Sequence, residues 1–171
     1  RSYLDTMESA QISSPPPAEP APLWLAAHGP GLLRLAAARA DGANTYLMPP
    51  SHTRRARELV GPERRLNVVV PSCLCEDPDL ARRIGRKALR LYLPLSAYQK
   101  QWLEWGFGEA DFQGEGSDHL VDSLIAWGSE EQIRERMIEH RAAGASHIAI
   151  SPLSPEGKGP QPHWKLLESL A

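Results

Sequence analysis

The run Leu23-Trp24-Leu25-Ala26-Ala27-His28-Gly29-Pro30-Gly31 changes character in its middle. Its first five residues are apolar without alternation, the pattern of a short strand in a parallel sheet covered on both faces. Residues 28–31 then read as a turn. Leu32, Leu33, Leu35, Ala36 and Ala40 follow at helical spacing as far as Asp41-Gly42. A buried strand, a glycine turn and an amphipathic helix make one βα unit.

The unit repeats downstream. A second strand is expected over 43–48, ended by Pro49-Pro50, and Ser51 is placed to cap a helix that stops at Gly61-Pro62. A valine-rich third strand covers 66–75. Asp77-Pro78 then reads as a cap followed by proline at the first helical position, opening a stretch that runs to about residue 93. Residues 96–127 read as two further helices broken at Gly106, with 108–116 irregular. Ser129-Glu130-Glu131-Gln132 is a capping box, and its helix carries Ile133, Met137 and Ile138 up to Gly144. A fourth strand over 147–151 is followed by a loop rich in Pro and Gly and a final helix over 163–170. Upstream, residues 13–22 form a proline-rich loop, and Arg1-Ser2-Tyr3-Leu4-Asp5 opens like a helix already under way, which implies further chain before it.

Alternation of this kind predicts parallel strands joined by right-handed crossovers. A closed barrel needs twice the four strands visible and about 250 residues. The expected fold is therefore α/β, as a half barrel or a small open sheet.

Composition narrows the function. With 171 residues, 42% hydrophobic and 23% charged, the chain is long and apolar enough for one core. A net charge of −2 gives no electrostatic reason to expect nucleic acid or an anionic membrane as partner. No signal sequence and no apolar run near the roughly 20 residues that span a bilayer are visible, so a cytoplasmic protein is expected. Cys73 and Cys75 would share one face of a strand. No further ligands cluster with them, so they read as reduced, packed thiols rather than a metal site.

Several segments together resemble one family. They are Leu23-Trp24-Leu25-Ala26-Ala27-His28-Gly29-Pro30 with Ala40-Asp41-Gly42-Ala43, then Pro49-Pro50-Ser51-His52-Thr53-Arg54-Arg55-Ala56-Arg57, Gly106-Phe107, Gly116-Ser117-Asp118-His119-Leu120-Val121-Asp122, Ala126-Trp127-Gly128 and His140-Arg141-Ala142-Ala143-Gly144-Ala145-Ser146-His147. In this order they resemble luciferase-like monooxygenases, and within them the branch of coenzyme F-420-dependent oxidoreductases. The resemblance implies the C-terminal portion of a luciferase-like (β/α)8 TIM barrel: about four parallel strands, with an extra helical insertion over 76–128 before the last one. Residues 1–171 would then be a single partial domain without the barrel's first strands. It also implies hydride transfer between F-420, or alternatively FMN, and a small organic substrate. The partner would be a second copy of the chain or the missing N-terminal half.

The resemblance places a cofactor phosphate at Ala27, His28, Gly29 and Pro30, with Met48 and Thr53 at the same mouth. The physical reason is that a glycine after a buried strand admits a phosphate to the N-terminus of the next helix. His28 stands where the family usually has a second glycine, and it offers a side-chain donor in exchange for close backbone approach. The alternative is an ordinary strand-to-helix turn. His52, beside Thr53, Arg54, Arg55 and Arg57, is the candidate catalytic residue, since an imidazole at the strand ends can shuttle a proton. The alternative there is a solvated basic helix.

Gly29-Pro30-Gly31 fails as a dinucleotide fingerprint: Arg34 occupies the third glycine position and Asp41 comes too early. Asp118 and Asp122 read as one face of an amphipathic helix, with Asp118 as its cap, and Trp102 with Trp105 as packing. A non-catalytic half barrel acting as an interaction module is the second functional expectation. Half a barrel leaves strand edges open, so the chain alone is expected to show little or no catalysis.

Overall fold

The computed structural model describes residues 2–11, 13–15, 17–155 and 163–171. The apolar runs become one parallel sheet of five strands: β1 (Trp24–Ala26), β2 (Gly42–Tyr46), β3 (Arg65–Leu74), β4 (Ala126–Gly128) and β5 (His147–Pro152). The long β3 is its spine. One edge pairs with β2, from Gly42↔Arg65 to Tyr46↔Val69, and β1 lies beyond β2. The other edge takes β5 from Asn67↔His147 to Ser72↔Pro152, then β4 from Ser72↔Ala126 to Leu74↔Gly128.

Eight α-helices are described: α1 (Ser2–Ser9), α2 (Pro30–Arg39), α3 (Pro50–Val60), α4 (Pro78–Leu89), α5 (Ser96–Glu104), α6 (Asp118–Leu124), α7 (Glu130–Ala142) and α8 (Trp164–Leu170). The Pro- and Gly-rich loop expected before α8 falls on 156–162, outside the described residues, as do Arg1 and residues 12 and 16. Among the described residues no helix is long and apolar enough to cross a membrane.

Two helix starts form as the sequence predicts. The Asp77 carboxylate accepts from the Asp79 and Leu80 N–H groups at 3.0 and 3.2 Å. Ser129 Oγ accepts from Gln132 N–H, whose side-chain oxygen accepts from Ser129 N–H at 2.8 Å. Two others shift. Pro49, not Ser51, is the N-cap of α3, because Pro50 has its backbone preset for the first helical position. Ser117 rather than Asp118 caps α6. Ala126–Gly128 is a strand, where helix had been expected to run to Trp127. Three residues are too few to declare a period of two.

Strand alternation separates two faces. Leu25, Ala43, Leu66, Val68, Val70, Ile148 and Ile150 belong to a core that also holds Leu33 and Ala36 of α2, Ala56 of α3 and Ile133 of α7. Among the described residues the opposite face is not covered in the same way, contrary to the reading of β1 as buried on both sides. There Trp24, Asn44, Arg65, Asn67 and His147 line a concavity of about 430 Å³, and Asn67 Nδ2 donates to Asn44 Oδ1 at 2.8 Å. A second core, with Leu47, Leu89, Trp102, Leu120 and Ile125, lies between the helical insertion and the C-terminal end of β2.

Asp118 and Asp122 serve that insertion. Asp122 receives Arg82 at 2.7 and 3.1 Å and the Trp127 indole N–H at 2.9 Å, while Arg86 pairs with Asp118.

Gly42 sets the spacing of three strands. A Cβ there would lie 2.6 Å from the Arg65 carbonyl and 2.7 Å from the Trp24 ring. Gly42→Ala is expected to destabilise the chain by about 1–3 kcal/mol, the cost of overpacking a close contact. An unchanged urea midpoint would show that the strands can part there without cost.

Candidate functional site

Parallel strands bring successive helix N-termini to one end of the sheet. β1 leads through Ala27, whose N–H still bonds Asn44 O at 2.9 Å, into the turn at His28. Gly29 is the N-cap of α2, and Pro30 occupies its first turn. β2 leads through Leu47, at φ 56°, and Met48 to the N-cap Pro49. Neither α2 nor α3 has a side chain capping its N-terminus. Pro30 and Pro50 carry no N–H, and the His52 and Thr53 N–H groups both bond the Pro49 carbonyl, at 3.0 and 3.3 Å. The two helices pack side by side.

Between them lies a cavity of about 310 Å³. His28, Pro30 and Arg34 form one wall, and His52 and Arg55 the other. Its roof is α5, which the insertion folds back over the turn. Tyr98 has its ring 5.0 Å from the His28 ring, and Trp105 lies edge-on at 5.5 Å from His52. The Gln101 amide sits 3.5 Å from where a Cβ on Gly29 would be. Trp102 fastens the roof by donating from Nε1 to the Leu47 carbonyl at 2.9 Å.

His52 is 1% exposed and its Nε2 lies 2.9 Å from the His28 carbonyl oxygen. A carbonyl only accepts, so the hydrogen sits on Nε2 and the neutral ring leaves Nδ1 bare. His52 Nδ1, His28 Nδ1 and Trp105 Nε1 are all buried without a hydrogen-bond partner among the described residues. Burial, and then the neighbouring His52, pull His28 down to about 4. Burial also lowers His52, against the opposing effect of its bond to the His28 carbonyl. Both rings are thus neutral near pH 7.

His28, Gly29, Pro30 and His52 meet at this place. Ala27, Met48 and Thr53 stand behind it. Ala27 lies in the sheet core and Met48 in the core under the insertion. The Thr53 hydroxyl faces α7, 2.9 Å from His140 Nδ1. Arg57 is committed to the Gly61, Arg64 and Gly144 carbonyls at 2.6–2.8 Å. Cys73 is buried, and burial followed by the adjacent Cys75 pushes its thiol up to about 12, so it is inert as a nucleophile. Sequence reasoning missed Gln101 and assigned Trp105 to packing. The spacing of Tyr98, Gln101, Trp102 and Trp105 marks a helix face, but nothing in it says which strand end that face covers.

The family model described as luciferase-like monooxygenase matches residues 2–147. The chain belongs to the luciferase-like monooxygenase family. No curated protein sequence matches it. Solved structures similar to this luciferase-like chain include a coenzyme F-420-dependent tetrahydromethanopterin reductase from Methanopyrus kandleri, at 15% identity and TM-score 0.57, covering 87% of this chain and 48% of that one. An F-420-dependent secondary alcohol dehydrogenase in complex with an F-420–acetone adduct is similar at 13% identity and TM-score 0.62, covering 91% and 50%. Apo-MsnO8 is similar at 19% identity and TM-score 0.55, covering 98% and 55%. The luciferase-like chain therefore spans about half the length of these structures, and its sheet corresponds to part of a luciferase-like barrel.

Proposed function

We propose that this chain is the phosphate-holding half of a luciferase-like oxidoreductase that uses F-420, with FMN as the alternative. The observation that carries the reading is the cavity between α2 and α3, where Arg34 and Arg55 line the walls and His28 Nδ1, His52 Nδ1 and Trp105 Nε1 are buried without a partner among the described residues. Arg34 lines the cavity with Arg55, which also pairs with Glu58 at 2.7 Å; Glu104 is the carboxylate in the lining, and the buried Trp105 N–H lacks an acceptor among the described residues.

When bound, the cofactor would carry hydride to or from a small organic substrate. This chain's own residues bind and orient. Gly29 and Pro30 hold the start of α2 open, Ala27 and Met48 pack behind the turn, and Thr53 ties α3 to α7. Hydride transfer further needs a second half barrel, in keeping with neighbours about twice as long. The setting we infer is the cytoplasm, consistent with two free cysteines.

The test is equilibrium binding of F-420 and FMN to the chain, followed by cofactor fluorescence. Saturable binding is expected, weakened about tenfold or more by Gly29→Trp, which displaces Gln101 and fills the space above the turn. A folded, monodisperse chain that binds neither cofactor nor inorganic phosphate would sink the reading.

A non-catalytic half barrel that associates with another polypeptide is the second reading, favoured by the open sheet face around Asn44, Asn67 and His147. Light scattering that finds a monomer at every concentration would remove self-association from it.

A further inference from the structure

We propose that anion capture in the α2–α3 cavity is proton-linked through His52, so that an oxyanion enters together with one proton and leaves as the pH rises. The inference rests on the phosphate-holding reading above and adds its regulation.

Its basis is the direction of one hydrogen bond. His52 Nε2–H is spent on the His28 carbonyl at 2.9 Å, which fixes the tautomer. What remains at the neutral ring is the lone pair on Nδ1, buried and without a partner among the described residues. A lone pair repels an oxyanion; the same nitrogen carrying a hydrogen donates to it. The imidazole therefore has to gain a proton at Nδ1 before an anion can use it. The balance is one oxyanion and one proton in, with an imidazolium–oxyanion hydrogen bond formed and no covalent bond broken.

The surroundings favour that coupling. On the α2 side stand His28, whose Nδ1 has no partner among the described residues, and Arg34; Arg55, paired with Glu58 at 2.7 Å, lies on α3. The roof contributes Glu104 and, against His28, Tyr98. Behind α3, Thr53 holds His140 of α7, with Arg136 near it. Without an anion, burial opposes an imidazolium, and only the Nε2–H bond to the His28 carbonyl favours it. A bound oxyanion adds an opposite charge beside the ring and favours the imidazolium further.

The probe is sulfate, which stays dianionic across the range, so any pH dependence of its binding belongs to the protein. In the full chain, sulfate affinity is expected to rise about tenfold between about pH 7.5 and 5.5, and calorimetry in buffers of different ionisation heat should count about one proton taken up. Ring nitrogen NMR should show His52 Nδ1 gaining the hydrogen as sulfate is added. His52→Gln, whose amide can still donate to the His28 carbonyl, is expected to flatten the dependence, and Glu104→Gln to leave it in place.

Sulfate affinity independent of pH would overturn the proton linkage while leaving the phosphate-holding reading intact. Dependence that survives His52→Gln but vanishes in His28→Asn would overturn the assignment to His52. Failure of sulfate, phosphate and both cofactors to bind at any pH would overturn both readings together.

Discussion

Trp102→Ala is expected to cost about 3–5 kcal/mol, the range for emptying a buried aromatic site. Trp102 is 0% exposed and carries three kinds of contact at once. Its indole N–H donates to the Leu47 carbonyl, and its ring lies 5.4 Å from Tyr98 and 5.7 Å from Phe112. It also fills the core shared by α4, α5 and α6. Truncation leaves a void and a buried carbonyl without its donor. That carbonyl belongs to a leucine at φ 56°, a conformation that L-residues with bulky side chains rarely adopt and that its surroundings must hold in place. Trp102→Phe separates the contributions: it keeps most of the volume, loses the hydrogen bond, and is expected to cost about 1–2 kcal/mol. Urea midpoints with matched slopes measure both. A loss below about 1 kcal/mol for the alanine variant would mean that α5 is not fastened to the strand ends, and that the cavity has no fixed roof.

Acidification is the second large effect. His140 is 2% exposed and its Nδ1 lies 2.9 Å from the Thr53 hydroxyl. Burial first, then the charges of Arg136 and His52, lower it from 6.5 to about 4. The unfolded chain takes up this proton as the pH falls past 6.5, while the folded chain resists until about 4. Its contribution is therefore complete above pH 6.5 and is lost progressively down to pH 4. At about 1.4 kcal/mol per pH unit, His140 alone accounts for roughly 3 kcal/mol across that window. His28 and His52 are shifted in the same direction and add to the loss. Denaturation midpoints measured through this window should fall steeply in the natural chain and less steeply in His140→Gln. Equal slopes in the two proteins would assign the acid sensitivity to other groups.

Much of the fold is legible in the sequence because its signals are local. The apolar run ending at Ala27, the valines of β3, the Asp77 cap and the Ser129 box each lie within a few residues of what they specify. β4 is harder to read because three residues, one of them Gly128 at φ 120°, show neither period nor propensity. The open sheet face does leave a trace. Asn67 stands between Leu66 and Val68, and this polar-in-apolar alternation marks a strand with one dry side.

Less of the candidate site can be read. His28, Gly29, Pro30 and His52 are marked by their places at helix starts. Gln101 and Trp105 reach the same cavity from a helix more than 45 residues later, where only the tertiary path of the insertion decides the neighbour. The Thr53–His140 contact, spanning 87 residues, is invisible for the same reason.

The edge that β4 and β5 share on β3 has a kinetic consequence. Ser72 is the joint: it is in register with Ala126 of β4 and Pro152 of β5, and its carbonyl accepts from Leu153 N–H at 2.8 Å. Both incoming strands arrive only after long excursions of chain, so the loop-closure entropy is lost before the pairing that offsets it is made. β3 therefore acts as a template completed late, while β1 and β2 can assemble with it early over short connections. Until that edge is filled, half of the longest strand in the molecule is an unprotected pairing surface, which makes its completion the step most exposed to aggregation during refolding.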